Sequence, residues 1–189
     1  MRRHLNYLRY VLRHKWFVFV AGLRLGVPLH LLIFHDWHKF TPGEWFAYAR
    51  TFYTSNGEKQ YEAGEDFTSA WNAHQKRGKH HWQYWLITWD HGGVEAIAMP
   101  DCYRREMIAD WMGAGRALGK PDTALWYAQN YDKIKLHPET RTLIDNHFNM
   151  VFTDTELERA DLQSNVENWP VKTTQEAALH VRRNFSTSF

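Results

Sequence analysis

At 189 residues, with 44 % apolar and 16 % aromatic side chains, the chain has room for one domain with an appendage but not for two full domains, and it is a folding sequence rather than a disordered one. A formal charge of +2 at neutral pH, with no long run of either sign, excludes a basic nucleic-acid arm and an acidic tail, so no sequence-specific nucleic-acid partner is expected. A single cysteine, Cys102, excludes an internal disulfide and a Cys-rich zinc site and makes a reducing cytoplasm the expected location.

Helical spacing dominates, and no stretch alternates strictly enough for a strand. The expectation is an all-α fold, with one helical domain over residues 1–150 and a polar, partly ordered tail over 151–189. A basic start, through Arg2, Arg3, Arg9, Arg13 and Lys15, leads into a helix over Leu5 to Ala21. The stretch Trp16 to Phe34, WFVFVAGLRLGVPLHLLIF, has the length of a membrane span. Arg24 near its middle would cost roughly 2.5–3.5 kcal/mol there. Pro28 and His30 interrupt it further, and no small-x-small cleavage site follows, so it reads as a buried hairpin, with membrane association as the alternative. Gly22 to Gly26 loosens the first helix, and Pro28 opens a short second one carrying Leu29 to His35. Thr41-Pro-Gly-Glu44 has the form of a helix cap, with Pro at the first helical position and Glu at the third, ahead of a helix over Trp45 to Phe52. Thr54 to Glu65 reads as a loop, Phe67 to Gln75 and Lys79 to Trp89 as helices, and Asp90-His-Gly-Gly93 as a turn. Pro100 opens a long helix through Arg116 that ends near Gly119-Lys-Pro121, followed by helices over Asp122 to Lys133 and Pro138 to Met150.

The twelve histidines need a reason. Taken in order with the nearby carboxylates, the notable positions are His14, His35-Asp36, His74, His80-His81 and Asp110. Neutral imidazole and carboxylate are ligands of divalent transition ions, and each of these residues lies on its own predicted helix or at a helix end, the way helical bundles converge on a metal. Adjacent His and Asp can serve one centre only where the backbone is helical or turned. Glu106 and Asp110, four residues apart, share a helix face, so Asp110 can ligate while Glu106 orients an imidazole or a water. Lys39 follows Asp36 by three residues, on the same side of a continuing helix. Blander readings stand beside these. A His-Asp pair can cap a helix, and Arg13-His14-Lys15 can be a basic surface with His4 or His30 in its place. Lys76 and Arg77 can be a solvated face or a phosphate clamp. His38 and His91 read as surface residues. Trp82, Tyr84, Trp85 and Trp89 read as core before they read as a stacking platform. Arg141, in His137-Pro-Glu-Thr-Arg141, either completes a pocket or pairs with Glu139 or Asp145.

The order His, His-Asp, His, His-His, Asp, from about His14 to Asp110, resembles the HD superfamily of metal-dependent phosphohydrolases. The minimal signature falls on His14, His35, Asp36 and Asp110. His35-Asp36-Trp37-His38-Lys39 has the form H-D-x-x-K, and the tandem His80-His81 is similar to the branch that binds two metals, which includes the HD-GYP phosphodiesterases. The resemblance implies that His74, His80 and His81 ligate a second ion, that Asp36 bridges, and that Lys39 faces a substrate phosphate, with Lys76 and Arg77 as further cations. The implied cofactor is a pair of divalent transition ions, Mn, Fe, Zn or Ni. Asp36, Lys39 and Glu106 form the catalytic set. HD-GYP proteins carry Glu after the tandem His and then a Gly-Tyr-Pro motif. Here Trp82 follows and no such motif appears, so cyclic dinucleotide specificity is not implied. A phage-enriched set of HD-like proteins is more similar, sharing HD-x-x-K-F, HHxxYW, MP before the E-x-x-x-D-W helix, and LHPxTR.

The expected function is a metal-dependent phosphohydrolase acting on a nucleotide or related small phosphate ester, in the host cytoplasm if the chain is phage-encoded, with homo-oligomer formation left open. Two alternatives stand beside it: an HD-type diiron oxygenase using the same ligands, and a non-catalytic interaction protein with a structural metal.

Overall fold

The first helix, α1 (Arg2–Arg24), buries Tyr7, Val11, His14, Val18 and Ala21, a stripe recurring every three to four positions that turns one side of the helix inward. A computed structural model describes residues 1–149 of the chain. Over these residues the protein is predominantly helical. After α1 come α2 (Leu29–Phe34), a 3₁₀ turn (Trp37–Phe40), α3 (Pro42–Phe52), α4 (Glu65–Arg77), a second 3₁₀ turn (Trp82–Trp85), strands β1 (Leu86–Thr88) and β2 (Val94–Ala96), α5 (Asp101–Leu118), α6 (Thr123–Gln129), a third 3₁₀ turn (Tyr131–Lys133) and α7 (Pro138–His147). The expected tail, 151–189, lies outside the described residues. Among the described residues no helix is long and apolar enough to cross a membrane, because the apolar stretch from Trp16 to Phe34 is divided at Leu25–Pro28.

By contacts the described residues form two compact units, one of Met1–Pro121 with Lys135–His137, the other of Asp122–Ile134 with residues 138–149. In the first unit α1 serves two small cores. Tyr7 and Val11 pack with Ala47, Tyr48 and Ala49 of α3 and Phe67 and Ala70 of α4. One to two turns further on, Val18 and Ala21 pack with Ala109 of α5. His14 lies between the two. The α1–α5 approach is close because Gly113 has no side chain: a Cβ there would lie 2.4 Å from Val18 Cγ2 and 2.8 Å from the Val18 backbone nitrogen. Arg105 fixes the other end of the pair by donating to the carbonyls of Leu25 (3.0 Å) and Gly26 (2.6 Å).

In the second unit, Tyr127, Ala128, Ile134, Ile144 and Phe148 are buried. Arg141 acts electrostatically on Asp145, one of the partners expected for it. Its guanidinium lies 4.1 Å over the Tyr131 ring and donates to the Tyr127 hydroxyl and the carbonyls of Tyr131 and Ile134.

Two expected helices are corrected. The segment from Lys79 to Trp89 is a 3₁₀ turn running into β1, which pairs antiparallel with β2 around the expected Asp90–Gly93 turn, Ile87 opposite Glu95. Gly92 and Gly93, both at φ 92°, permit that turn, and β-branched Ile87, Thr88 and Val94 suit the strands beside it. The helix expected through Lys133 stops at Gln129, where the Asn130 side chain donates to the Trp126 carbonyl and takes over part of the helix end.

Candidate metal centre

Helix α2 stops at Phe34, His35 is extended (φ −49°, ψ 123°), and Asp36 adopts the left-handed conformation (φ 54°, ψ 25°) before the 3₁₀ turn begins. Asp is one of the few side chains that tolerate this region. Neighbouring side chains on a regular helix diverge by about 100°, and the bend removes that divergence, bringing His35 Nε2 to 3.4 Å from Asp36 Oδ2. The backbone is thus turned where an adjacent His-Asp pair requires it. The α-helix does not continue to Lys39, but a 3₁₀ turn has three residues per turn and stacks position i+3 over i. Lys39 Nζ consequently lies 2.6 Å from Asp36 Oδ2.

The two Asp36 oxygens face different partners. On the Oδ2 side stand His14 Nε2 at 3.5 Å and His35 Nε2 at 3.4 Å, and these two nitrogens lie 3.1 and 3.4 Å from Asp110 Oδ1. On the Oδ1 side stand His80 Nε2 at 3.3 Å and His74 Nε2 at 3.5 Å, with a His81 ring nitrogen in the same group. Bonds of about 2.1 Å to one ion put neighbouring ligand atoms roughly 3.0–3.4 Å apart in octahedral or tetrahedral geometry. The spacings seen have that scale. Direction supports the same reading: Nε2 of His14, His35, His74, His80 and His81 and both Asp36 oxygens are buried without an aligned hydrogen-bond partner. Buried polar atoms are almost always satisfied, so a set left open in one place is what metal ligation would complete. The residues present therefore fit two ions sharing Asp36. Gly78 makes the tandem pair possible, since a Cβ there would meet the His81 ring at 2.8 Å and the His80 ring at 3.1 Å.

The opposite ring nitrogens of His35, His80 and His74 are engaged, whereas His14 Nδ1 is buried without a hydrogen-bond partner. Glu106 Oε1 lies 3.0 Å from His35 Nδ1 and 3.4 Å from His80 Nδ1. Glu44 Oε2 lies 2.9 Å from His74 Nδ1 and 3.2 Å from His38 Nδ1, and Arg77 Nη1 donates to Glu44 Oε1 at 3.3 Å. A carboxylate on Nδ1 places the proton there and leaves Nε2 as the free lone pair. These two outer groups are also close enough in space to hold an ion, but the hydrogen-bonded atoms serve better as supports of the inner ligands. Lys15 donates to the His35 carbonyl and steadies the bend from the backbone side.

Charge follows this geometry. Burial alone would raise Asp36, but Lys39, His35 and His74 hold it well below the ordinary carboxylate value, and His14 and His35 do the same for Asp110. Burial opposes a proton on His80, yet Asp36 and Glu106 raise it to about 10. His35 is raised as well, against burial, chiefly by Asp36. His74 and His81 are lowered by burial. Glu44 is brought down to about 2, against its burial, by His38 and His74.

All seven expected ligands, His14, His35, Asp36, His74, His80, His81 and Asp110, are thus gathered in one place, with Lys39 and Glu106 beside them. His14 takes the place that His4 or His30 might have held: His4 accepts from Trp45 Nε1, and His30 is exposed. His91 is exposed, as expected. Lys76 is exposed on the last turn of α4, and Arg77 reaches the far side of His74 through Glu44 rather than Asp36 itself. Of the aromatic set expected in the core, Trp82, Tyr84 and Trp85 are only half-buried and Trp89 is exposed. Two residues were misread. His38 is buried, 5 % exposed, because the 3₁₀ turn rotates it inward against His74. Glu44 is not a capping-box partner: its carboxylate turns inward to the two imidazoles, and the Thr41 hydroxyl donates to the His38 carbonyl. A glutamate six residues after His38 was the available signal, and the cap motif masked it.

Fold and site together define a predominantly helical protein with a buried cluster of histidines and carboxylates that could hold metal ions. The chain belongs to a family of unknown function (DUF5662), which matches residues 3–150. No curated protein and no solved structure matches it.

Proposed function

We propose that the protein is a metal-dependent phosphohydrolase of the HD type, cleaving a phosphate ester of a nucleotide or related small molecule. The observation that carries this reading is the division of Asp36, one oxygen to His14, His35 and Asp110, the other to His74, His80 and His81. Two divalent ions bound there supply Lewis acidity toward phosphate oxygens and a water whose pKa is near 7. The chain supplies the rest. Asp36 and Asp110, both held ionised, bring the negative charge that a pair of dications needs. Glu44 fixes the imidazole of His74, and Glu106 those of His35 and His80, with Nε2 inward. Lys39, its side chain 12 % exposed and its pKa raised against burial by Asp36, keeps a permanent positive charge at the cluster where a phosphate oxygen would meet it.

The test is elemental analysis of the purified protein and its Asp36→Ala variant, beside a phosphate-release screen over nucleotides with added manganese. The expected result is two equivalents of metal and phosphate release in the wild type, both absent in the variant. A wild type that takes up no metal under any loading sinks the proposal. Bound iron with visible absorption and no phosphate release replaces it with oxygenase chemistry, and bound metal without exchangeable water with a structural role.

A further inference from the structure

A cavity of about 570 Å³ opens between the first half of α1, the end of α3 with the loop after it, and the last turn of α5. Its charged lining is Arg9, Arg13 and Lys59, with no carboxylate. None of the three is ion-paired among the described residues: Arg9 touches only the Asn6 amide at 3.4 Å, and Arg13 lies 5.5 Å over the Phe17 ring. Tyr10, Phe52 and Leu118 give the same cavity an aromatic and apolar wall. A volume of this order suits a small ligand, and three unneutralised cations around an apolar wall select an anion that also carries a flat or apolar body.

The cavity borders the metal cluster at Tyr10, and both of its helical walls continue to cluster residues. On α1, Arg9 and Arg13 lie four residues apart, as do Tyr10 and His14, so these positions follow one side of the helix. The Tyr10 ring, part of the cavity wall, stacks on the His14 ring at 6.1 Å with 17° between planes. On α5, Ala117 of the cavity is seven residues from Asp110, two turns along one face. His14 and Asp110 are themselves 3.1 Å apart, and Asp110, its side chain 13 % exposed, is more open than Asp36 at 1 %. One turn of α1 and two of α5 correspond to about 6 and 11 Å, a span that a single mononucleotide bridges.

We infer that this cavity holds the part of the substrate that is not cleaved, and that the substrate is an aromatic ester with a second anionic group, of the nucleoside bisphosphate class: its ring lies against Tyr10 and Phe52, its second phosphate on Arg9, Arg13 and Lys59, and its reacting phosphate at Asp110 and Lys39. The inference rests on the phosphohydrolase reading. It commits that reading to a ligand with two phosphates rather than one.

The test is the binding of adenosine 3′,5′-bisphosphate, with adenosine as control, to the full-length metal-loaded protein, followed by calorimetry in the wild type, the Arg9→Gln/Arg13→Gln double variant and Lys59→Gln, with metal content measured in each. The two sets lie on different elements and are exposed at the surface, so a folding defect in one leaves the other informative. The expected result is binding of the bisphosphate well above adenosine in the wild type, and at least about tenfold weaker binding in both variants at unchanged metal content, since a charge-assisted contact commonly carries that much. Equal binding by wild type and variants, or no binding by the wild type, overturns the inference. The phosphohydrolase reading fails separately: cation-dependent binding without phosphate release from any ester removes hydrolysis and leaves the cavity as a ligand site.

Discussion

Two buried aspartates, one in each unit, show what separates a functional carboxylate from a structural one. Asp145 receives the Tyr127 hydroxyl at 2.7 Å and the Tyr131 hydroxyl at 3.1 Å, one on each oxygen. Asp36 is paired with Lys39 and otherwise faces imidazole nitrogens that are near but not aligned with it. Burial raises Asp145 above its ordinary value despite its hydroxyl donors, whereas Lys39 and the histidines overcome burial and hold Asp36 well below it. A satisfied carboxylate that tends toward neutrality belongs to a packed core. An unsatisfied one kept ionised, with open nitrogens around it, is prepared for a cation.

Substitution by asparagine breaks this comparison most directly. Asp36→Asn keeps shape and removes charge, and is expected to abolish metal uptake, read by elemental analysis. Asp145→Asn replaces an acceptor oxygen with a donor beside two hydroxyl donors. It is expected to cost about 1–3 kcal/mol of stability in urea titration, with metal content unchanged. Equal metal loss in both would erase the distinction.

The supports come next. Glu44→Gln and Glu106→Gln are each expected to weaken metal binding roughly 10–100-fold, measured by competition with a chelator. Glu44 contacts His74 alone among the ligands, while Glu106 contacts His35 and His80, so Glu44→Gln should loosen one ion and Glu106→Gln both.

Acidity gives the smallest and most graded effects. In the metal-free protein His80 titrates near 10, above the ordinary value of about 6.5, so its stabilisation is complete below 6.5 and is lost as pH rises through 10. Manganese added to the stripped protein at pH 8 should therefore release protons, because a ligating imidazole must be neutral, and a dye in weak buffer reads the acidification. The two aspartates differ in sign. The Asp36 contribution is present above pH 3.8 and lost as pH falls below it, whereas acidification through the raised Asp145 value toward 3.8 relieves a penalty. Comparing the wild-type and Asp145→Asn unfolding curves between pH 4 and 7 isolates the second of these: the wild type should gain more from acidification than the variant.

Much of the centre was legible in the sequence because ligand chemistry restricts residue type and helical spacing restricts placement. His14, His35, Asp36, His74, His80, His81 and Asp110 were all named from their order, and the helical class followed from apolar spacing. Less legible were features in which a local rule had two outcomes. Thr41-Pro-Gly-Glu44 satisfies a capping pattern whether or not Glu44 caps, and only tertiary packing of α4 against α3 brings His74 within its reach. His38 depended on a 3₁₀ rather than an α turn, a difference of about 20° per residue. Strands of three residues, Leu86–Thr88 and Val94–Ala96, are too short for alternation to register.

The left-handed backbone at Asp36 also bears on how such a protein can change by descent. At φ 54° the position accepts Asn or Gly in addition to Asp, and disfavours nearly every other residue on backbone grounds. Codons for Asn and Gly are each one base away from those for Asp. Drift here therefore tends toward a chain that folds, keeps its histidines and has no bridging charge, so a loss of chemistry in this lineage would leave an intact scaffold free to take up a binding role.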